Sequence, residues 1–303
     1  MKRSLLCRLA AAALCVTSAV CVTGDAAALE KGVGAAPVTL VCEAPGMLAA
    51  KARNAVIDYS NTRDGYVTVL YTGDAGRSVK AQVRGPSLTY TYDIVPGVRT
   101  VLPLSEGNGD YTAAVYENVS GCRYANVVSV AMHVELSDEF APFLRPNCYV
   151  DYSCAPETVK KAEELCCGCA DELETVDAVY GFVVENFSYD KELAATVKSG
   201  YLPELDKVLE KRKGICFDYA AVMTGMLRSR GVPCKLVIGY AGKAYHAWIS
   251  VYSAAEGWID GVIYFDGNSW QRMDPTFASS AGGSKEMLEY IGDGSNYTAM
   301  YFY

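Results

Sequence analysis

The sequence predicts an α+β domain over residues 150–303, preceded by an all-β sandwich over residues 36–140. Three observations carry this expectation. Short apolar or alternating runs recur at intervals of roughly ten to twenty residues as far as about residue 138. After about residue 150 the hydrophobic period lengthens to that of a helix. Within that second half, helical patterns come first and strands follow, which is an α+β order.

The chain opens with a basic start, Met1-Lys2-Arg3, then an apolar run from Leu9 to Val22 and the small-residue site Ala26-Ala27-Ala28. This is the layout of a secretory signal peptide, residues 1–28, with cleavage before Leu29. The apolar run is shorter than the roughly 20 residues a bilayer requires, so it reads as an export signal rather than a transmembrane anchor. The residues ahead of Cys15 and Cys21 do not form a lipoprotein box. A secreted or extracellular location with no stable membrane span after cleavage is therefore expected.

The runs VTLVC, YVTVLYTG, VKAQVRG, LTYTYDIV, RTVLPL, DYTAAVYE and ANVVSVAMHVEL follow. Gly107-Asn108-Gly109-Asp110 reads as a hairpin turn, and the whole has the look of a sandwich of immunoglobulin type. His133 lies in the last run with no other reactive side chain near it in sequence, and reads as a structural or surface residue.

Beyond residue 150, Ala155-Pro156 introduces a helix from about Glu157. Val176, Val179, Tyr180, Val183, Val184 and Phe187 share one face of a second. Leu202, Leu205, Val208 and Leu209 mark a third, which stops at Lys213-Gly214. A fourth starts at Cys216 and ends in Arg228, Arg230, Gly231 and Pro233. Strands are then expected over Lys235–Tyr240 and Lys243–Tyr252, joined by a turn at Gly242.

The formal net charge is −8, with 51% hydrophobic and 20% charged residues. Loss of Lys2, Arg3 and Arg8 against Asp25 makes the mature chain more acidic still, which argues against a nucleic-acid partner. Twelve cysteines become nine once residues 1–28 are removed. An odd number leaves at least one thiol without an intrachain partner. In an oxidising compartment the remaining eight allow up to four bridges. The cluster Cys166-Cys167-Gly168-Cys169 raises the question of a metal, but no histidine is near and adjacent thiols on a helix point in different directions. No metal and no cofactor are predicted.

Cys216 continues an apolar stripe with Ala220, Met223 and Leu227, so one reading is a buried structural thiol. Its place on the first turn of a helix favours another, because free N–H groups and the helix dipole stabilise a thiolate. A cysteine nucleophile needs a base, and the chain has only two histidines. His246, in an alternating strand pattern, is the one near Cys216 in sequence. Asp274, held extended by Pro275, sits at a strand end from which it could orient an imidazole; the alternatives are a core histidine and a turn aspartate.

Four motifs in this order, Gly-x-Cys-x-Asp-Tyr-Ala (214–220), Gly-Val-Pro-Cys-Lys-x-Val-x-Gly-Tyr (231–240), His-Ala-Trp (246–248) and Trp-x-x-Met-Asp-Pro-Thr (270–276), resemble the core of the transglutaminase-like superfamily. The resemblance covers about residues 150–303, including Asn186-Phe-Ser-Tyr-Asp190. It implies a papain-like fold in which Cys216 attacks an acyl group, His246 serves as base and Asp274 holds the histidine. The Cys216 N–H is then an oxyanion donor, with Tyr189 a candidate for the second, and Asp218 serves structure by pairing with helix N–H groups. The segment from Glu256 to Tyr264 reads as an extra hairpin that could shape the acyl site, and Trp248, Trp258 and Trp270 as its walls or as core.

The expected activity is cleavage or transfer of amide-linked acyl groups in peptides or proteins, cell-wall-associated ones among them, with hydrolysis ahead of amine transfer. Two other classes remain open: an inactive surface-binding protein, and a structural module in which Cys216 bridges to a partner such as Cys234.

Overall fold

The computed structural model describes residues 39–260, 263–265, 270–272 and 296–303. The expected signal segment, residues 1–28, and Asp274 lie outside them.

Eight strands make the first half: β1 (Ala49–Lys51), β2 (Ala55–Asp58), β3 (Tyr66–Tyr71), β4 (Val79–Arg84), β5 (Thr89–Ile94), β6 (Thr100–Pro103), β7 (Gly109–Ser120) and β8 (Arg123–Val134). They form two four-stranded antiparallel sheets, β1-β2-β3-β6 and β5-β4-β7-β8. Period-two alternation drives the packing: in β5, Tyr90, Tyr92 and Ile94 are buried while Thr89, Thr91 and Asp93 face out. Ile57, Val67 and Val69 of one sheet share a core with Ala81, Val83 and Val115 of the other.

Two sequence expectations need correction. Residues 39–42, part of the expected VTLVC strand, join no sheet; the Cys42 thiol instead donates to the Pro146 carbonyl at 3.4 Å. The turn at Gly107–Asp110 joins β6 to β7, which belong to different sheets, so it is a corner and not a hairpin. Its clasp is Tyr111, whose hydroxyl donates to the Gly107 carbonyl at 2.9 Å and accepts from the Glu106 N–H at 3.0 Å.

The linker folds back on the sandwich. Arg145 pairs with Asp64 at 2.8 Å, and Pro142 packs so tightly on Gly65 that a Cβ there would lie 2.5 Å from the proline ring. Among the described residues five α-helices follow: α1 (Pro156–Leu165), α2 (Glu172–Asn186), α3 (Lys191–Thr196), α4 (Leu205–Lys211) and α5 (Cys216–Ser229). Asp171 caps α2 by accepting from Glu174 N–H at 2.8 Å. Helix α1 has no capping side chain of its own; Asp206 of α4 takes that role from a distance, accepting from Thr158 N–H at 2.8 Å and Glu157 N–H at 3.2 Å.

The third predicted helix is shorter than expected, beginning at Leu205. It ends at Arg212, a left-handed residue at φ 48°. Between it and α5 lies β10 (Lys213–Gly214), which pairs in parallel with β9 (Ser188–Tyr189). A second sheet, β13-β12-β11-β16, is antiparallel, built from β11 (Cys234–Ala241), β12 (Ala244–Ser253), β13 (Gly257–Asp260) and β16 (Tyr297–Phe302). The backbones of β14 (Ile263–Phe265) and β15 (Trp270–Arg272) pair, with Phe265 opposite Trp270. Helix α5 is buried continuously from Asp218 to Ser229, which is why it is apolar around most of its circumference. Among the described residues no helix is long and apolar enough to cross a membrane.

A tyrosine cluster joins the two halves. Tyr303 packs on Tyr149 with ring centroids 4.4 Å apart, on Tyr90 at 5.6 Å and on Tyr92 at 6.1 Å. Tyr149 in turn meets Phe217 at 5.6 Å, the residue next to Cys216. Aromatic pairs of this kind contribute about 0.5–1.5 kcal/mol each beyond area burial.

Candidate active site

Ile215 is extended and Cys216 is the first residue of α5, so the half-buried thiol sits where the helix presents its unpaired N–H groups. The entry is fixed by Asp218, which is fully buried. One carboxylate oxygen accepts from the Ile215 N–H at 2.8 Å and the other from the Tyr201 hydroxyl at 2.6 Å. Burial raises the Asp218 pKa, and these two hydrogen bonds oppose the rise. The expectation that Asp218 pairs with helix N–H groups is thus met by a single one, at the N-cap. The phenol that completes its shell, from the loop between α3 and α4, was not visible in the sequence pattern.

His246 lies on β12 opposite Gly239 of β11 and is 6% exposed. Its ring stacks on Trp248, with centroids 6.2 Å apart and planes at 24°. Tyr297 of β16 approaches the same imidazole at 6.3 Å and meets Trp248 edge-on at 5.3 Å. Cys216 and His246 open into one cavity of about 920 Å³. Tyr189, Tyr201 and Tyr245 line it from the α/β half, and Thr91 and Arg99 from the sandwich. The structure therefore brings two of the three sequence-selected residues to one place, while Asp274 falls outside the described residues.

His133 is elsewhere, exposed on β8 with Nδ1 2.7 Å from Asp110; the hydrogen bond to Asp110 raises its pKa. His133→Ala is expected to leave turnover within about twofold of the parent, as for surface changes remote from a site. A well-folded His133→Ala protein without activity would show that the base had been misassigned.

Trp258, one of three candidate walls, stands over Lys235 at 3.5 Å and edge-on to Phe143 at 5.3 Å. It packs the linker onto β13 and does not line the cavity. The hairpin expected within Glu256–Tyr264 is not what the described residues form: β13 pairs back on β12, with Ser253 opposite Gly257, and β14 pairs with β15.

Gly239, part of the 231–240 motif, lies opposite His246 in the sheet. A Cβ there would lie 2.1 Å from the Thr298 carbonyl oxygen and 2.8 Å from the Trp248 ring. Backbone cannot yield as a side-chain tip can, so Gly239→Ala must displace β16 or the ring under His246. The expected loss is about 1–3 kcal/mol of stability, the usual cost of overpacking, with a fall in turnover. A variant with parent stability and parent turnover would refute this account.

All nine described cysteines are free thiols. Cys234 is buried beside Thr224 Oγ1 at 3.5 Å, not bridged to Cys216. Among the described residues no cluster of metal-ligating side chains occurs.

A thiol at a helix N-terminus and a histidine on the neighbouring sheet are thus open to a common cleft in an α+β fold. Residues 159–275 match the model of the Transglutaminase-like superfamily. A protein-glutamine gamma-glutamyltransferase of Pseudomonas aeruginosa is 29% identical over 119 residues, 35% of this chain and 16% of the relative. The Bacillus subtilis protein YebA is 27% identical over 106 residues, 28% of this chain and 14% of the relative. The chain thus spans only a small part of the length of these relatives. Among solved structures, the periplasmic domain of TgpA from Pseudomonas aeruginosa, bound to ethylmercury, aligns with 80% of this chain and 78% of its own, at 19% identity and a TM-score of 0.37.

Proposed function

We propose that the chain is an exported cysteine enzyme that opens amide bonds of peptides or proteins through a thioester on Cys216. The observation that carries this reading is the shared cavity of Cys216 and His246. His246 takes the thiol proton, and the thiolate sulfur adds to the amide carbonyl. The oxyanion is met by the N–H groups at the start of α5. Collapse of the adduct breaks the C–N bond, and the imidazolium returns the proton to the leaving amine. Asp274 holds the imidazole tautomer. Water then attacks the thioester and releases the acid.

Polypeptide substrates suit the cleft, because its walls mix tyrosines with exposed apolar side chains such as Val98 and Leu202. Export rests on the signal-like residues 1–28. The sandwich reads as immunoglobulin-like: its strands change sheet in the order such folds use, and Tyr111 clasps a corner as their corner tyrosine does.

Amine transfer is the second reading, favoured by the name of the Pseudomonas relative. Transfer requires walls that keep water, at roughly 55 M, from the thioester. The cleft here is bounded by residues from both halves, polar Thr91, Asp93 and Lys198 among them, and hydrolysis is the expected outcome. The mature chain would be given a glutamine-containing protein and a labelled primary amine. Trapping of an acyl group on Cys216 by mass spectrometry supports the enzyme. Stable amine incorporation without cleavage or deamidation would replace hydrolase by crosslinking transferase.

A further inference from the structure

We propose that Cys166 and Cys169 form an oxidisable dithiol site, which closes to an intrachain disulfide by exchange with a low-molecular-weight disulfide. The site is separate from the Cys216 cleft and does not depend on the enzymatic reading.

Cys166 ends α1, its N–H bonded to the Ala162 carbonyl at 3.0 Å. The chain then reverses: Gly168 is left-handed at φ 97°, and the Cys169 N–H donates to the Cys166 carbonyl at 3.1 Å. A turn closed by this bond holds its first and fourth Cα atoms within about 7 Å. Disulfides span Cα separations of about 4.4–6.8 Å, so the turn has set the reach already. Both side chains lie on the core side, Cys166 in the core and Cys169 packed against it. Burial, and after it the Cys169 thiol alongside, pushes the Cys166 thiol up to about 12. Cys167, between them, is exposed.

Exposure sets the order of events. Cys166 is 1% exposed, whereas Cys169 is half-buried and meets the reagent first. Its thiolate attacks one sulfur of the small disulfide, forming a mixed disulfide and releasing one small thiol. The Cys166 sulfur then displaces the second small thiol, whose departing thiolate takes the Cys166 proton. The two protein thiols are oxidised by two electrons, and one small disulfide is reduced to two thiols. The product joins the C-terminus of α1, which packs on α5, to the residue two places before the Asp171 cap of α2.

The test uses the purified reduced chain, incubated to equilibrium with oxidised glutathione, quenched in acid, and alkylated with iodoacetamide in denaturant. Peptide mapping is expected to return the 166–169 peptide with one alkyl group, on Cys167, and two hydrogens fewer than the fully reduced form. The thermal midpoint should rise by a few degrees on oxidation. Cys167→Ser should keep the linkage. In Cys169→Ser, shown to be folded by circular dichroism, Cys166 should be alkylated. Alkylation of both Cys166 and Cys169 in the oxidised parent would overturn the proposal. So would glutathione retained on Cys169 at equilibrium, or a linkage from either thiol to Cys167 or to any other cysteine.

Discussion

Replacing Cys216 with alanine is expected to lower turnover by about four orders of magnitude or more while leaving the fold intact. The thiol is half-buried at a helix start whose geometry is held by other groups, the Ile215 N–H and the Tyr201 hydroxyl on Asp218. Deleting Sγ removes no hydrogen bond in that arrangement. His246→Ala should cost a comparable factor, because nucleophile and base act as a unit and their losses do not add. The double variant should therefore be little worse than either single one. Initial rates on a peptide amide, with thermal midpoints for each variant, provide the measurement. Substantial turnover in folded Cys216→Ala would place the chemistry elsewhere. Multiplicative losses in the double variant would show that Cys216 and His246 do not share a step.

Much of this candidate site was legible because the elements that carry it are local in sequence. A helix start, a cysteine there, a Gly-Val-Pro stop and an alternating strand with the chain's second histidine are short-range patterns, and they lie at Cys216–Ser229 and Ala244–Ser253. What stayed hidden depends on partners far along the chain. The Asp206 cap of α1 reaches across 48 residues to Thr158, and no window around Ala155 contains it. Tyr201 belongs to none of the sequence patterns, yet its phenol reaches Asp218. Gly239 stands in the 231–240 motif, but the motif does not say why: its missing Cβ is what lets β16 and Trp248 close under His246.

The sandwich was legible as alternation but not as topology. DYTAAVYE and ANVVSVAMHVEL became β7 and β8. Ala55–Asp58, too short and too flanked by polar residues to stand out, became a central strand. The corner at Gly107–Asp110 has hairpin composition, yet its two strands join different sheets, and the Tyr111 hydroxyl closes the turn by a contact composition does not encode. The contacts of Tyr303 with Tyr90 and Tyr92 that tie the halves join residues far apart in the chain and could not be inferred from either end alone.

The largest loss of stability is expected from Arg228→Ala. Arginine at the end of a helix reads as a solvated complement to the dipole, but Arg228 is 1% exposed. Its Nε and Nη2 donate to the Cys234 carbonyl at 2.9 and 2.7 Å, Nη1 to the Arg145 carbonyl at 2.7 Å, and Nη2 also to the Tyr303 main-chain oxygen at 2.6 Å. One guanidinium thus ties the end of α5 to the first residue of β11, to the linker and to the residue after β16. Burial draws its pKa down to about 10, which leaves it charged at neutral pH. Truncation would open a cavity and strip a charged donor from three buried carbonyls. Disrupting a buried charged network of this kind costs about 3–5 kcal/mol. Arg228→Lys should recover only part of the loss, since an ammonium cannot reach all three carbonyls in the fork geometry of a guanidinium. Cys216 is twelve residues back along α5, about 18 Å at the helical rise, so turnover of the molecules that remain folded should change little at low temperature. Urea unfolding of the parent and both variants, with turnover measured well below each midpoint, separates the two effects. A loss under about 1 kcal/mol, the scale of an exposed pair, would mean that water or a rearranged linker replaces the guanidinium. A collapse of turnover at full folding would mean that the far end of α5 controls the position of its thiol.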